Sequence, residues 1–378
     1  LTQGWVYQER LLSPRVLHFC QKELLWECLE ESFCECASFK PLTQPKVEHF
    51  AAIQDIRGTL KSKEQDGTKL SSQELHTRPE SSTRRLFKGR FSKKGKQPED
   101  LPRTFKSETL EEIRAREREA AIRLEKVGSS VRLLKAKWHD IVRDYSNLTL
   151  TVESDRLIAI AGLAREAQDC RTGSYLAGLW QDSLVEDLLW RVDRLALGQP
   201  ERRPATYRAP SWSWASVNSG VSYFQHRNDE WAAVRISEAV CKPKHNSDPY
   251  GHVSHGHLVI EGIPAKAEVI YTFYDNGELD PMHYKLVIGN GTAPFYADYC
   301  LCLEGPGQIP DGSEVYCLRI FNESHSTIYL VLRQLKPDTS EYERIGIVDW
   351  LSTETKGSAF QIDVSEFTTS IKQTGKPQ

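Results

Sequence analysis

The sequence predicts an α+β protein. Three observations point there. Apolar residues recur at helical spacing between about residues 107 and 200. Short alternating apolar runs, separated by turn residues, fill the chain from about residue 201 to its end. Residues 41–106 between these and the N-terminal block are rich in Lys, Ser, Gln, Glu and Pro and poor in apolar side chains. The expected organisation is therefore four blocks, 1–40, 41–106, 107–200 and 201–378, within the two or three domains that 378 residues suit.

The first block opens with "GWVYQERLL", a short helix with Trp5, Gln8/Glu9 and Leu12 at helical spacing, ended by Ser13–Pro14. "RVLHFC", "QK" and "ELLWEC" then read as a β-hairpin, with Val16, His18 and Cys20 on one face and Leu17 and Phe19 on the other. Residues 41–106 bury too little apolar surface to offset their ordering entropy, and are expected to be a disordered insertion or long loop. Within them lies "RRLFKGRFSKKGK", Arg84 to Lys96, basic with Phe87 and Phe91 interleaved.

The third block carries "TLEEIRAREREAAIRLEKV", with Glu112–Arg116 and Glu119–Arg123 at i,i+4 and a thin apolar stripe, hence an exposed helix. In "SSVRLLKAKWHDIVRDYS", Val131, Leu134, Trp138, Ile141 and Tyr145 form a stripe that should face the core. "DRLIAIAGLAREAQ" reads as a central helix. "SLVEDLLWRV" opens with a capping-box pattern, Ser183 and Glu186. In the fourth block "SWSWASV" alternates strictly and reads as a strand with Trp212 and Trp214 on one face. "HLVIEG", "KAEVIYTFY", "HYKLVIG", "EVYCLRIF", "TIYLVLRQL" and "YERIGIVDW" follow as further strands, with "DNGE", "GNGTAP" and "EGPGQIPDG" as hairpin turns. This spacing suits an antiparallel sheet, sandwich or partial barrel. Trp180, Trp190, Trp212 and Trp214 are expected in the core, each contributing a few kcal/mol of transfer free energy.

Composition excludes several function classes. A net charge of -3 gives no global attraction to nucleic acid or anionic lipid. No apolar run approaches the ~18 residues of a membrane span. Nine cysteines scattered over the chain fit neither a disulfide framework nor a zinc ribbon, and suit a reducing compartment. His18, Cys20, Cys28, Cys34 and Cys36 cluster in sequence, but "CEC" is not a CxxC knuckle and no second pair follows, so no metal is expected. No GxSxG, P-loop or GxGxxG is present, so no cofactor site is expected. His139–Asp140 reads as a solvated helix-surface pair. Glu9, an acid in a Trp/Tyr-rich helix, reads as a salt-bridge partner for Arg10 or Arg15, or as a pocket acid. Arg84–Lys96 could meet nucleic acid or an anionic surface, or serve as a nuclear import signal; a solvated loop is the simpler reading.

Several phrases together resemble one family. "GWVYQERLLSPRVLHFCQKELLWEC" is similar to the C-terminal end of the fungal heterokaryon incompatibility (HET) domain and the segment after it. "KWHDIVRDYSNLTLTVESDRLIAIAGLAREAQ", "YLAGLWQDSLVEDLLWRV" and "RPATYRAPSWSWASVNSGVSY" resemble the region that follows, in the same order, with a weaker echo in "YERIGIVDW". The matching positions include Trp5, Gln8, Glu9, Arg10, Trp26, Trp212 and Trp214. The His/Ser-Cys-Trp-Gly and Asp-Cys-Ile-Gln stretches of a complete HET domain are not in this chain.

The resemblance implies the C-terminal portion of such a protein: a remnant of an α/β, TIR-like domain, then a helical layer and a β-rich region. It implies a role in self/non-self recognition and cell death, with protein partners, no membrane, and a cytoplasmic location (a nuclear one if Arg84–Lys96 is an import signal). The chain as it stands is expected to be non-enzymatic. HET domains have been likened to TIR domains that cleave NAD with a Glu. By that likeness Glu9 is the candidate catalytic residue of a full-length NAD hydrolase. A nucleic-acid-associated protein working through the basic loop is the remaining alternative.

Overall fold

The computed structural model describes residues 3–21, 23–36, 45–58, 132–193, 201–224, 232–322, 326–337, 339–351 and 369–372. The chain divides into two units, one of residues 1–53 with 134–378 and one of residues 54–133. The Arg84–Lys96 run and the helix expected over 109–127 lie outside the described residues. The first unit mixes helix and strand, an α+β arrangement. Among the described residues no helix is long and apolar enough to cross a membrane.

Helix α1, Gly4–Leu12, forms as expected, but its buried positions are Gly4, Tyr7 and Leu11. Trp5 and Leu12, the apolar ends of the spacing read from the sequence, are each more than one-third exposed. The shift follows from two tethers. The Gly4 N–H donates to the Thr149 carbonyl at 2.8 Å, and Tyr7 packs against Tyr145 with ring centroids 6.2 Å apart. The hairpin forms as β1, Arg15–Phe19, and β2, Leu24–Cys28, and gains a third strand, β3, Ser32–Cys34.

Residues 45–58, expected to lack structure, form helix α2. Lys46, His49, Ala52 and Ile53 are buried at spacings of three, three and one, one face of a helix. Two of these four are polar, so a reading that weights apolar content misses the stripe. His49 Nε2 lies 2.9 Å from Glu166 Oε2.

Residues 132–146 form α3, with Leu134, Trp138, Ile141 and Tyr145 buried as their spacing predicts; Val131 lies outside the described residues. The expected central helix is broken. Two 3₁₀ turns, Glu153–Arg156 and Ile158–Ile160, precede α4, Ala161–Gln168. "YLAGLW" closes a tight hairpin of β4, Tyr175–Leu176, and β5, Leu179–Trp180. The capping box does not form. Helix α5 is only Leu184–Asp187, and Ser183 makes no side-chain cap. Ser183 Oγ instead accepts from Arg171 Nη1 at 3.0 Å, and Glu186 pairs with Lys135 at 2.7 Å. The chain then turns into β6, Trp190–Val192, which pairs with β7, Val221–Tyr223.

"SWSWASV" is not a strand. It turns into a 3₁₀ helix at Trp214–Ser216, capped by the Ser213 hydroxyl, which accepts from the Ala215 N–H. Trp212 and Trp214 are nonetheless both fully buried, with Trp138, Trp180 and Trp190. Alternation gave the burial correctly but not the backbone, because Ser213 is itself inside. Its hydroxyl donates to the Ala177 carbonyl at 2.5 Å.

The rest is β. Strand β8, Arg235–Pro243, pairs with β9, Val253–Gly262, and β9 with β16, Thr369–Lys372. Strands β10, Pro264–Phe273, β11, Leu279–Ile288, β12, Gly291–Ala297, β13, Ser313–Asn322, β14, Ser326–Gln334, and β15, Tyr342–Leu351, close a barrel in the order β10-β11-β12-β15-β14-β13. It is two three-stranded meanders joined at two seams. "DNGE" makes the β10–β11 turn, with Gly277 at φ +81°. "EGPGQIPDG" is not a hairpin turn, because β12 and β13 are not neighbours; it lies in the connection between the two meanders.

Strands β13 to β15 are apolar on both faces. Val315, Cys317, Tyr329, Val331, Ile345 and Val348 fill the barrel. Leu318, Ile320, Ile328, Leu330, Leu332 and Ile347 face the other way and join the tryptophan core. This explains the nearly continuous apolar runs in "EVYCLRIF" and "TIYLVLRQL": a sheet covered on both sides needs no polar face. Arg344 crosses the same boundary. It donates to Asp298 Oδ2 at 3.0 Å, to the Leu188 carbonyl at 2.6 Å and to the Trp190 carbonyl. Its guanidinium lies 3.5 Å from the centroid of the Trp190 ring.

Candidate functional site

The polar chemistry nearest the chain's start sits on the three-stranded sheet. Strand alternation places Val16 and His18 on one face of β1, Glu23, Leu25 and Glu27 on that face of β2 and its approach, and Ser32 and Cys34 on that face of β3. This face is turned inward. The other carries Leu17, Trp26 and Phe33 in one cross-strand row, with Phe19 beyond them. It is turned outward, and Phe19 is 81% exposed. The sheet therefore buries its more polar face.

Glu27 is the centre of that inner face, 2% exposed. Its carboxylate accepts from Arg10 Nε at 2.7 Å and from Arg10 Nη2, a bidentate pair. His18 Nε2 lies 2.8 Å from the same carboxylate. Burial pushes the Glu27 carboxyl up, but the hydrogen bonds and charges of Arg10 and His18 outweigh it and hold it below the usual carboxylate value. Lys46 is buried close by, and its Nζ has no hydrogen-bond partner among the described residues. Burial pushes its amine down, and the charge of Glu27 works against that shift. With Arg10 and His18 on its oxygens, Glu27 is fitted to clamp α1 onto the sheet rather than to take a proton from a substrate.

Beside it, Cys34 Sγ lies 2.6 Å from Glu23 Oε2, and Cys36 Sγ lies 3.1 Å from Cys34 Sγ. Cys20 is exposed and Cys28 Sγ accepts from the Glu31 N–H at 3.4 Å. Of the five residues that cluster in sequence, only Cys34 and Cys36 come together, joined by Glu23.

Several of the other residues singled out in the sequence have structural partners. Gln8 Oε1 accepts from the Gly162 N–H at 2.5 Å, joining α1 to α4. Arg10 pairs with Glu27, not with Glu9. Glu9 is exposed on α1. Trp26 is half-buried and meets Phe33 at 6.4 Å. The partner of His139 is Asp187, at 2.7 Å, and not its neighbour Asp140. Asp187 also accepts from the Trp180 N–H at 2.7 Å, and the His139 ring stacks on Tyr223 at 3.8 Å. That pair is thereby held between α3, β5 and β7.

Sequence reasoning missed Glu27, Glu23 and Asp187. A signal existed for the first two. In "ELLWEC" the acids at 23 and 27 share the strand face of Leu25, so an inward Leu implies inward carboxylates that need cations or donors. Asp187 had no such signal, since only the fold brings it to His139. Comparison of the chain with protein-family models, with curated proteins and with solved structures finds no match.

Proposed function

We propose that this chain is the regulatory and interaction region of a heterokaryon-incompatibility protein of the HET type. It acts in fungal self/non-self recognition through protein contacts rather than through chemistry of its own. One observation carries the reading. The segments whose wording resembles the family converge in one core: Tyr7 and Leu11, Trp138 to Tyr145, Leu157 to Ala167, Tyr175 to Val192, and Ala209 to Val221. Segments that resemble one family in order and that also pack on one another behave as a single inherited module.

The outward row Leu17, Trp26 and Phe33, with Phe19, supplies a surface suited to a protein partner, because aromatic side chains lose little conformational entropy on contact. The test is a confrontation assay between strains of the source fungus. Disrupting the gene should abolish the cell-death reaction in at least one incompatible pairing. Restoring it with Trp26→Lys/Phe33→Lys should fail to rescue while leaving the protein folded. Death reactions unchanged in every pairing after disruption would overturn the proposal.

A further inference from the structure

We infer that Glu23, Cys34 and Cys36 form a binding site for a thiophilic divalent cation of the zinc class. Their ligand atoms all lie within 4.8 Å of one another. A tetrahedral ion with ~2.3 Å metal–sulfur bonds needs sulfurs roughly 3.8 Å apart. The sulfurs stand at 3.1 Å, so they need only spread by less than an ångström. Two thiolates and one carboxylate are a donor set that selects zinc-like ions over magnesium or calcium.

The backbone makes this arrangement a consequence of pairing rather than of chance proximity. Leu25 pairs with Cys34, and the Glu35 N–H continues the ladder to the Leu24 carbonyl at 2.9 Å. Strand β3 ends at Cys34 and the chain turns at Glu35 and Cys36, which brings the Cys36 thiol against that of Cys34, on the side of Glu23. This is why a spacing that fails as a knuckle works as a site: the third ligand comes from the neighbouring strand, not from further along the chain. With three protein ligands, a fourth position is left for water or another ligand.

A cation of this class is held by thiolates, whereas a free thiol is mostly protonated at neutral pH. Binding must therefore displace protons. The cation takes both sulfurs as thiolates and the Glu23 oxygen, and two protons leave to solvent, so affinity rises with pH.

A second C-x-C pair provides an internal control. Cys300 Sγ and Cys302 Sγ are 3.2 Å apart, but their third neighbour is the Tyr284 hydroxyl at 3.5 Å from Cys300, not a carboxylate.

The experiment is a Co²⁺ titration of the full chain, reduced and freed of reductant, read by the visible absorption of tetrahedral thiolate-bound cobalt and competed with Zn²⁺. One equivalent should bind, more tightly at higher pH, and Zn²⁺ should displace it. Cys36→Ser alone, at an exposed position, and Cys34→Ser/Cys36→Ser should abolish the signal with tryptophan emission unchanged. Glu23→Gln should weaken binding at least tenfold, the lower bound for losing even an indirect metal partner. Cys300→Ser/Cys302→Ser should bind as the parent does. No tetrahedral signal in the reduced parent would overturn the inference. So would a signal that survives Cys36→Ser, or one that disappears with the Cys300/Cys302 pair instead.

Discussion

The Trp214 indole N–H donates to the Gly178 carbonyl at 3.0 Å, and the Trp138 indole donates to the same oxygen at 2.9 Å. Gly178 sits at φ +97°, and a Cβ placed on it would lie 2.5 Å from Trp214 Nε1. Two independent demands, a left-handed backbone and a close indole, thus fall on one residue. Gly178→Ala should destabilise the protein by about 2–4 kcal/mol. Urea unfolding followed by tryptophan emission measures it. The neighbouring Ala177, at φ +49°, gives the converse case. Ala177→Gly should be neutral to mildly stabilising, since it relieves the strain while leaving the Ala177 carbonyl that Ser213 uses.

Arg344 and Asp298 are both buried, and every remaining Arg344 contact described above is to a backbone carbonyl or to the Trp190 face. Asp298→Ala leaves the guanidinium without its counter-charge. Its cost should be about 3–5 kcal/mol. Arg344→Met combined with Asp298→Ala should cost less than the sum of the two single changes, because no buried charge is stranded. A double-mutant cycle in denaturant reads the difference.

The barrel's β12–β15 seam pairs Tyr296 with Ile347 and Ala297 with Gly346, and the Asp298 N–H continues it to the Ile345 carbonyl at 2.9 Å. A Cβ on Gly346 would overlap the Phe295 ring and the Tyr296 carbonyl. Gly346→Val should therefore open the seam. Backbone amide exchange at Tyr296 and Ala297 should quicken, and stability should fall by at least about 1–3 kcal/mol, the usual cost of overpacking.

Acid should act through Glu27. Its carboxyl titrates lower in the folded state than in the unfolded chain. The stabilisation it gives is present above the unfolded carboxyl value of ~4.3 and is lost as pH falls through the lower folded value. Glu27→Gln keeps the shape but removes the titration. The variant should be less stable than the parent at pH 7, and the gap should close as pH drops toward 3. A series of urea midpoints against pH checks this.

How far the sequence could be read depended on whether neighbours or distant residues decide each feature. Strand β9 and the barrel strands β10, β11 and β13 to β15 were legible because alternation and turn residues such as "DNGE" are local. Strand β12 was missed because "GTAPFYA" holds a Pro and small residues that mimic a loop. Helix α3 was legible from its Leu134–Trp138–Ile141–Tyr145 stripe. Helix α2 was hidden by its inward Lys46 and His49. The 3₁₀ turn at Trp214 was hidden too, since buried serines imitate a polar strand face. Of the small sheet, the residues of Glu23, Cys34 and Cys36 could be named in advance but not joined, because their meeting depends on the register of β2 with β3. Glu9 drew attention by its company in sequence; Glu27, seventeen residues on from Arg10, holds the position that company suggested.

The two-faced strands β13 to β15 also bear on how the molecule comes together in time. Arg344 reaches back to Leu188 and Trp190 across more than 150 residues, as does the Gly162–Gln8 hydrogen bond. Contacts of such long separation close late, after the local hairpins have formed. Changes at Arg344 should then fall mainly on the rate at which the protein comes apart and little on the rate at which it assembles. Because one strand layer serves both the barrel and the tryptophan core, the two should be lost in a single cooperative step, and excising either would leave the other with a bare apolar wall.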